Sequence, residues 1–185
     1  MFARDEYYTV NDDEGAGLIY GSGEGTGVWM GQVFTPVHTM SLRRVEAKLY
    51  RLGTVGDITL SVYATTGSPA LPTGASLSDI VVDGDTITTD SAGEWVPFTL
   101  GSALSLTGGT AYALILKVPD GYNNGGSAGM YWRRDGTSSV YANGHHVQLY
   151  SAVGSWQYSS TTDLMFETWG TSNIIGSSIN LGSLF

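Results

Sequence analysis

Two groups of side chains in this sequence have the right types for chemistry: scattered carboxylates with three histidines, and a set of aromatics in the final third. Glycoside cleavage needs two carboxyl groups facing each other across about 5 to 9.5 Å. Glu46, Glu94 and Glu167 fall in strand-like runs, but most acids lie in turn-rich segments, and Glu46 alternates with Arg44 and Lys48 on a polar face. Acids with no base partner and no pocket are ordinarily just solvated. The histidines are His38 and the adjacent pair His145-His146, and a hydrolase triad would need one of them as base beside a nucleophilic Ser. Neighbours in a strand point to opposite faces, which keeps His145 and His146 from sharing one metal, and their spacing is not that of a zinc site. Asp83-Gly84-Asp85, with Asp79 or Asp90 nearby, offers oxygen ligands, so Asp83 and Asp85 are the calcium candidates. The stretch lacks a full calcium-loop signature, and Asp-Gly is foremost a turn. No other cofactor is indicated, and the expectation is a protein that is not an enzyme.

The aromatics are the stronger lead. Tyr131, Trp132, Tyr141, Tyr150, Trp156 and Tyr158 gather beside Arg133, Arg134 and Asp135. Flat rings with polar tips stack on sugar rings and hydrogen-bond their hydroxyls, which makes these six the candidate glycan platform. The competing expectation is that Trp132, Trp156 and Trp169 fill the core, since alternation turns about half of such residues inward.

Positioning them falls to a chain of 185 residues, long enough for one well-buried domain. Gly is abundant at 26 residues and Lys+Arg total only 8, which leaves little material for amphipathic helices. The formal charge of −9 argues against a nucleic-acid partner, because phosphate binding needs clustered basic residues. No apolar run reaches the roughly 18 residues of a membrane span. Met1 to Glu6 is not a secretory signal as it stands, which leaves three expectations: action where the chain is made, export inside a particle, or a signal removed. With no cysteine, a disulfide framework and a thiolate zinc site are both ruled out.

The organising stretch is Leu42 to Leu52 followed by Asp57 to Ala64. Val45, Ala47 and Leu49 alternate with Arg44, Glu46, Lys48 and Tyr50; Ile58, Leu60, Val62 and Ala64 alternate with Asp57, Thr59, Ser61 and Tyr63. Period two predicts two half-buried strands, and the short link Gly53-Thr54-Val55-Gly56 predicts that they pair as an antiparallel hairpin, covered by a second sheet. Further strands are predicted at 28–35, 79–83, 94–100, 110–118, 130–133, 139–141, 146–150, 156–158 and 164–169, with 110–118 central and buried on both faces for part of its length. Residues 68–74, with two prolines, read as a loop. These elements predict an all-β, antiparallel β-sandwich of jelly-roll type over 28–170. Residues 1–27, acidic and ending in the Gly-rich run 21–27, read as an arm with a flexible hinge. Residues 171–185 read as an apolar tail or added strand, with Ile174, Ile175, Ile179, Leu181, Leu184 and Phe185 as assembly contacts.

The order Gln32-Val33-Phe34-Thr35, Val45 to Leu49 with Arg51 and Gly53, Ile58 to Tyr63 with Pro72 and Gly74, Trp95 to Phe98, Leu106 to Leu116, then Trp156 with Asp163 to Gly170 resembles the carbohydrate-binding-module-like jelly rolls of the "choice-of-anchor" kind. Similar domains occur in phage structural proteins and bacterial surface proteins, and the resemblance implies a non-catalytic module for display or binding. The expectation is therefore a virion structural protein, such as a capsid decoration, head-fibre or tail-associated component. Its partners would be copies of itself, other virion proteins and a glycan on the host surface, with no nucleic acid and no membrane. The alternative is a stand-alone carbohydrate-binding module of a cell-surface or secreted protein.

Overall fold

In the computed structural model Val45, Ala47 and Leu49 are fully buried, while Arg44, Glu46, Lys48 and Tyr50 on the other side of the same strand stay partly open. Residues 2–18, 28–118, 128–150 and 154–172 are described. Among them the strands are β1 (Ala3–Tyr8), β2 (Glu14–Leu18), β3 (Val28–Phe34), β4 (Met40–Leu52), β5 (Asp57–Thr66), β6 (Leu71–Asp83), β7 (Glu94–Leu106), β8 (Tyr112–Lys117), β9 (Gly129–Asp135), β10 (His145–Tyr150), β11 (Ser155–Ser159), β12 (Asp163–Leu164) and β13 (Phe166–Ser172), with one 3-10 turn at Gly84–Thr86.

They form two antiparallel sheets packed as a sandwich. The seven-stranded sheet runs β1-β13-β4-β9-β12, with β2 joined to β9 and β7 joined to β4; the six-stranded sheet runs β11-β10-β3-β8-β5-β6. Between them lie Phe34, Leu42, Leu49, Ile58, Leu60, Phe98, Leu106, Leu114, Trp132 and Phe166, all inaccessible to solvent. Each such side chain contributes on the order of 1.5–3 kcal/mol relative to exposure, and this layer is what makes the sheets adhere. The predicted all-β sandwich is present, and β8 is central and buried on both faces, as its continuous apolar run required.

The hairpin predicted for β4 and β5 does not form. β4 pairs with β13, β7 and β9, whereas β5 pairs with β6 and β8 in the opposite sheet. Residues 53–56 are an arch from one layer to the other. Gly53 and Gly56 take φ of 61° and 65°, a left-handed backbone that other residues adopt at a cost, and Val55 tucks into the core between them. Asp85 and Arg51 hold the arch closed. The Asp85 carboxylate accepts from the amides of Val55 (2.7 Å) and Gly56 (3.3 Å), and Arg51 donates to the carbonyls of Ile87 (2.8 Å), Asp85 (2.8 Å) and Gly53. A hairpin and an arch share the same alternation, because period two reports which face a residue occupies and not which strand lies beside it.

Three other readings are corrected. Residues 3–8 and 14–18, expected to belong to an arm, are strands: β1 closes one edge against β13, and β2 pairs with β9. Their acids looked solvated because their partners are remote in sequence. Asp12 receives Lys48 Nζ at 2.5 Å and Arg133 Nε at 2.6 Å, and Glu14 receives Arg134 at 3.0 Å. Residues 139–141, predicted as a strand, are an irregular crossing, since the Tyr141 amide and Ser139 hydroxyl bond to the Asp163 carboxylate in place of a ladder. The expected loop at 68–74 is already strand from Leu71, and Pro72 is tolerated because β6 is an edge strand. The Gly-rich run 21–27 and the assembly residues Ile174, Ile175, Ile179, Leu181, Leu184 and Phe185 lie outside the described residues.

The arch makes a direct prediction. Asp85→Ala leaves the Val55 and Gly56 amides without their acceptor and should lower unfolding free energy by about 1–3 kcal/mol, read as an earlier urea midpoint with unchanged slope. An unaltered midpoint would show that the clamp does not hold the two sheets.

Candidate binding groove

On the six-stranded sheet, side chains facing away from the core form rows set by register. Trp156 of β11 stands opposite Leu149 of β10, which stands opposite Trp29 of β3. One step beyond the Met30–Leu116 pair, Trp29 neighbours Lys117 of β8, itself opposite Thr59 of β5. Tyr63 of β5 projects on the same side, opposite Ala113. An outer sheet face is ordinarily wet, but here Val33, Ala113, Ile115 and Val147 are buried, covered by Tyr63, Ala70, Leu71, Ala111 and Trp156. The turn before β6 folds over this face, held in part by His145 Nε2 donating to the Ala70 carbonyl at 2.9 Å. The start of β6 thus becomes a wall. Between it and the aromatic row runs an open groove of about 300 Å³ lined by Trp29, Tyr63, Pro72, Thr73, Gly74, Leu149 and Trp156.

Lys117 is not in the lining but borders two of its members, Trp29 and Tyr63. Its ammonium lies 4.6 Å from the Trp29 ring centroid and 4.8 Å from that of Tyr63, and donates to the Tyr63 hydroxyl at 2.7 Å. The Trp29 ring attracts the cation by its quadrupole, and Tyr63 holds it through its hydroxyl. Asp79, on the same sheet face, accepts from Ser61 (2.5 Å) and Ser76 (2.8 Å), and chiefly the Ser61 bond holds its carboxyl below the usual range.

The six aromatics predicted as one platform divide among separate places. Trp156 lines the groove, and Tyr158, exposed, stands edge-on to His145 with centroids 5.6 Å apart on the same face. Trp132 is core, with Nε1 donating to the Met165 carbonyl at 2.8 Å. Tyr131 belongs to the other sheet and stacks on Tyr50 at 4.7 Å. Tyr141 packs inside one end of the sandwich against Tyr8 and Phe166. The side chain of Tyr150 lies outside what is described. Sequence reasoning missed Trp29 and Lys117. Tyr63 was legible as an outward residue, but nothing in the pattern placed it beside Trp29.

The acids serve the fold. Asp83 caps the 3-10 turn by accepting from the Asp85 amide at 2.9 Å, and Asp85 clamps the arch, so both calcium candidates are committed to backbone amides. Among the described residues no three His, Asp or Glu side chains converge as a metal site. Glu46 pairs with Arg44 at 3.1 Å, Glu167 with Arg4 at 2.8 Å, and Glu94 accepts from the Thr88 amide at 2.6 Å. Inside one end of the sandwich, Glu6 accepts from the Tyr141 hydroxyl at 2.6 Å, Asp135 from Tyr8 at 2.6 Å, and Asp163 from Gln32 at 2.8 Å. Burial works against the charge on Asp135, yet donation from Tyr8, Ser138 and Thr137 outweighs it and holds the carboxyl below its usual range. Burial raises Asp163 and, with the bond to Glu6, drives Tyr141 well above the phenolic range; Tyr8 is pushed up to about 12 by burial and by Asp135. These bonded pairs tie the N-terminal strand and residues 135–143 to the core.

No protein-family model matches the chain, and no curated protein matches its sequence.

The buried end gives a pH prediction. Burial, then Arg134 and His145, push His146 down to about 4 from 6.5. The folded chain thus refuses a proton that the unfolded chain accepts, so stability complete above pH 6.5 declines toward pH 4, by up to roughly 1.4 kcal/mol per unit. Asp163, raised by burial, acts in the opposite sense at lower pH. His146→Gln should flatten the fall in urea midpoint across that window; an unchanged slope would acquit His146.

Proposed function

We propose that this chain is a non-enzymatic β-sandwich, a virion structural component that presents a carbohydrate-binding groove on the outer face of its six-stranded sheet. The observation that carries the reading is the groove itself, with Trp29, Tyr63 and Trp156 spread along a solvent-open channel of about 300 Å³. Aromatic faces that stay accessible on a rigid sheet stack on pyranose rings with little ordering cost, and Thr73 in the lining supplies a polar group for hydroxyls. Most of the described carboxylates are engaged by an amide, a hydroxyl or a basic side chain, which favours binding over bond cleavage. The virion setting draws on the resemblance of residues 28–170 to display modules of phage particles. Copies held side by side would convert weak single-site contacts into firm attachment.

Glycan-array screening followed by titration tests this. Trp29→Ala and Trp156→Ala should each weaken binding of an array hit about tenfold, while Tyr131→Ala, on the opposite sheet, leaves it unchanged. An array without signal, or full affinity in Trp29→Ala, would remove the groove from the account.

A further inference from the structure

We propose that the groove selects an acidic sugar, a pyranose bearing a carboxylate, and that Lys117 receives that carboxylate. The inference rests on the carbohydrate reading and sharpens it. Lys117 is the only lysine or arginine in the six strands of its sheet. Elsewhere among the described residues the basic side chains are spent, Arg4 on Glu167, Arg44 on Glu46, Lys48 and Arg133 on Asp12, Arg134 on Glu14, and Arg51 on three carbonyls, except Arg43, which is exposed on the opposite sheet. Lys117 makes none of these ion pairs. Its ammonium has three donors, and one is given to the Tyr63 hydroxyl. The Trp29 face and the Tyr63 hydroxyl hold it in place, and the acid it acts on is Asp79, across β5.

The surrounding charge makes this cation decisive. A chain of net charge −9 repels anions on average, so an anionic ligand settles only where a local positive charge outweighs that field. Asp79 lies on the same face, two strands from Lys117, with its carboxyl ionised and satisfied by Ser61 and Ser76. The face is therefore polarised, with an anion at the β6 edge and a cation against Trp29. A neutral sugar makes no use of that polarity. A sugar carboxylate directed to Lys117 uses it, with the pyranose ring against the same aromatic row.

Isothermal titration with matched probes tests the inference: trigalacturonate against its methyl ester, and sialyllactose against its methyl ester, so that uronic and sialic carboxylates are separated. The acid of at least one pair should bind tenfold or more tightly than its neutral partner in low salt. The gap should narrow in 0.5 M NaCl, close in Lys117→Met and persist in Lys117→Arg. Equal binding of acid and neutral forms, or a preference undiminished in Lys117→Met, overturns the inference while the groove reading stands. If no saccharide binds, both fall. Because the methyl ester removes the charge from the ligand side, the comparison holds even where a Lys117 variant folds poorly.

Discussion

The exclusion of water from the layer between the two sheets is the constraint on which the rest depends. Neither sheet survives alone with one apolar face exposed, so each strand's inner residues are stable only when the other sheet covers them. The arch at 53–56 is where that requirement becomes local. It carries the chain across the layer, seats Val55 in it, and has its amides and carbonyls answered by Asp85 and Arg51. Backbone groups at such a crossing leave a ladder and must find other partners, or the burial of the neighbouring strands is undercut by unpaired polar groups.

Charge follows the same logic. The outer face of the seven-stranded sheet alternates cations with rings and acids: Arg4 over Tyr7 and bonded to Glu167, Arg44 over Trp169 and paired with Glu46. Asp12 draws Lys48 and Arg133 together across strands far apart in sequence. Exposed pairs of this kind contribute little each, but they fix which side of a strand faces water and how the N-terminal strands seat. At the end of the sandwich the acids are buried and hydrogen-bonded, which adds specificity to the packing of residues 135–143.

The six-stranded sheet departs from the pattern of one dry and one wet face. Its outer side carries a second apolar patch around Val33, Ala113, Ile115 and Val147, and the turn before β6 folds back to cover it. That fold-back raises a wall beside the aromatic row and converts a flat sheet into a groove. A binding surface thus arises as a by-product of hiding apolar area, with Trp29, Tyr63 and Trp156 left at the margin between covered and open sheet.

Alternation in this chain carried the strand positions, the inward set Val45, Ala47, Leu49, Ile58, Leu60 and Val62, and the burial of β8 on both faces, because those depend only on side chains pointing to opposite sides of a pleat. The scarcity of basic residues and the abundance of Gly carried the all-β class. The neighbour of each strand was not legible: the same period suits a hairpin or an arch, and only the packed layers decided that β4 and β5 part company. The aromatic set shows the same divide. Trp156 and Tyr158 could be read as a pair, but Trp29, more than a hundred residues earlier, joins them through the register of β3, β10 and β11. Side-chain type and parity are local properties that the sequence determines by itself. Juxtaposition across strands is settled by which pairing buries the most apolar surface while satisfying every backbone group, and that is a property of the whole fold.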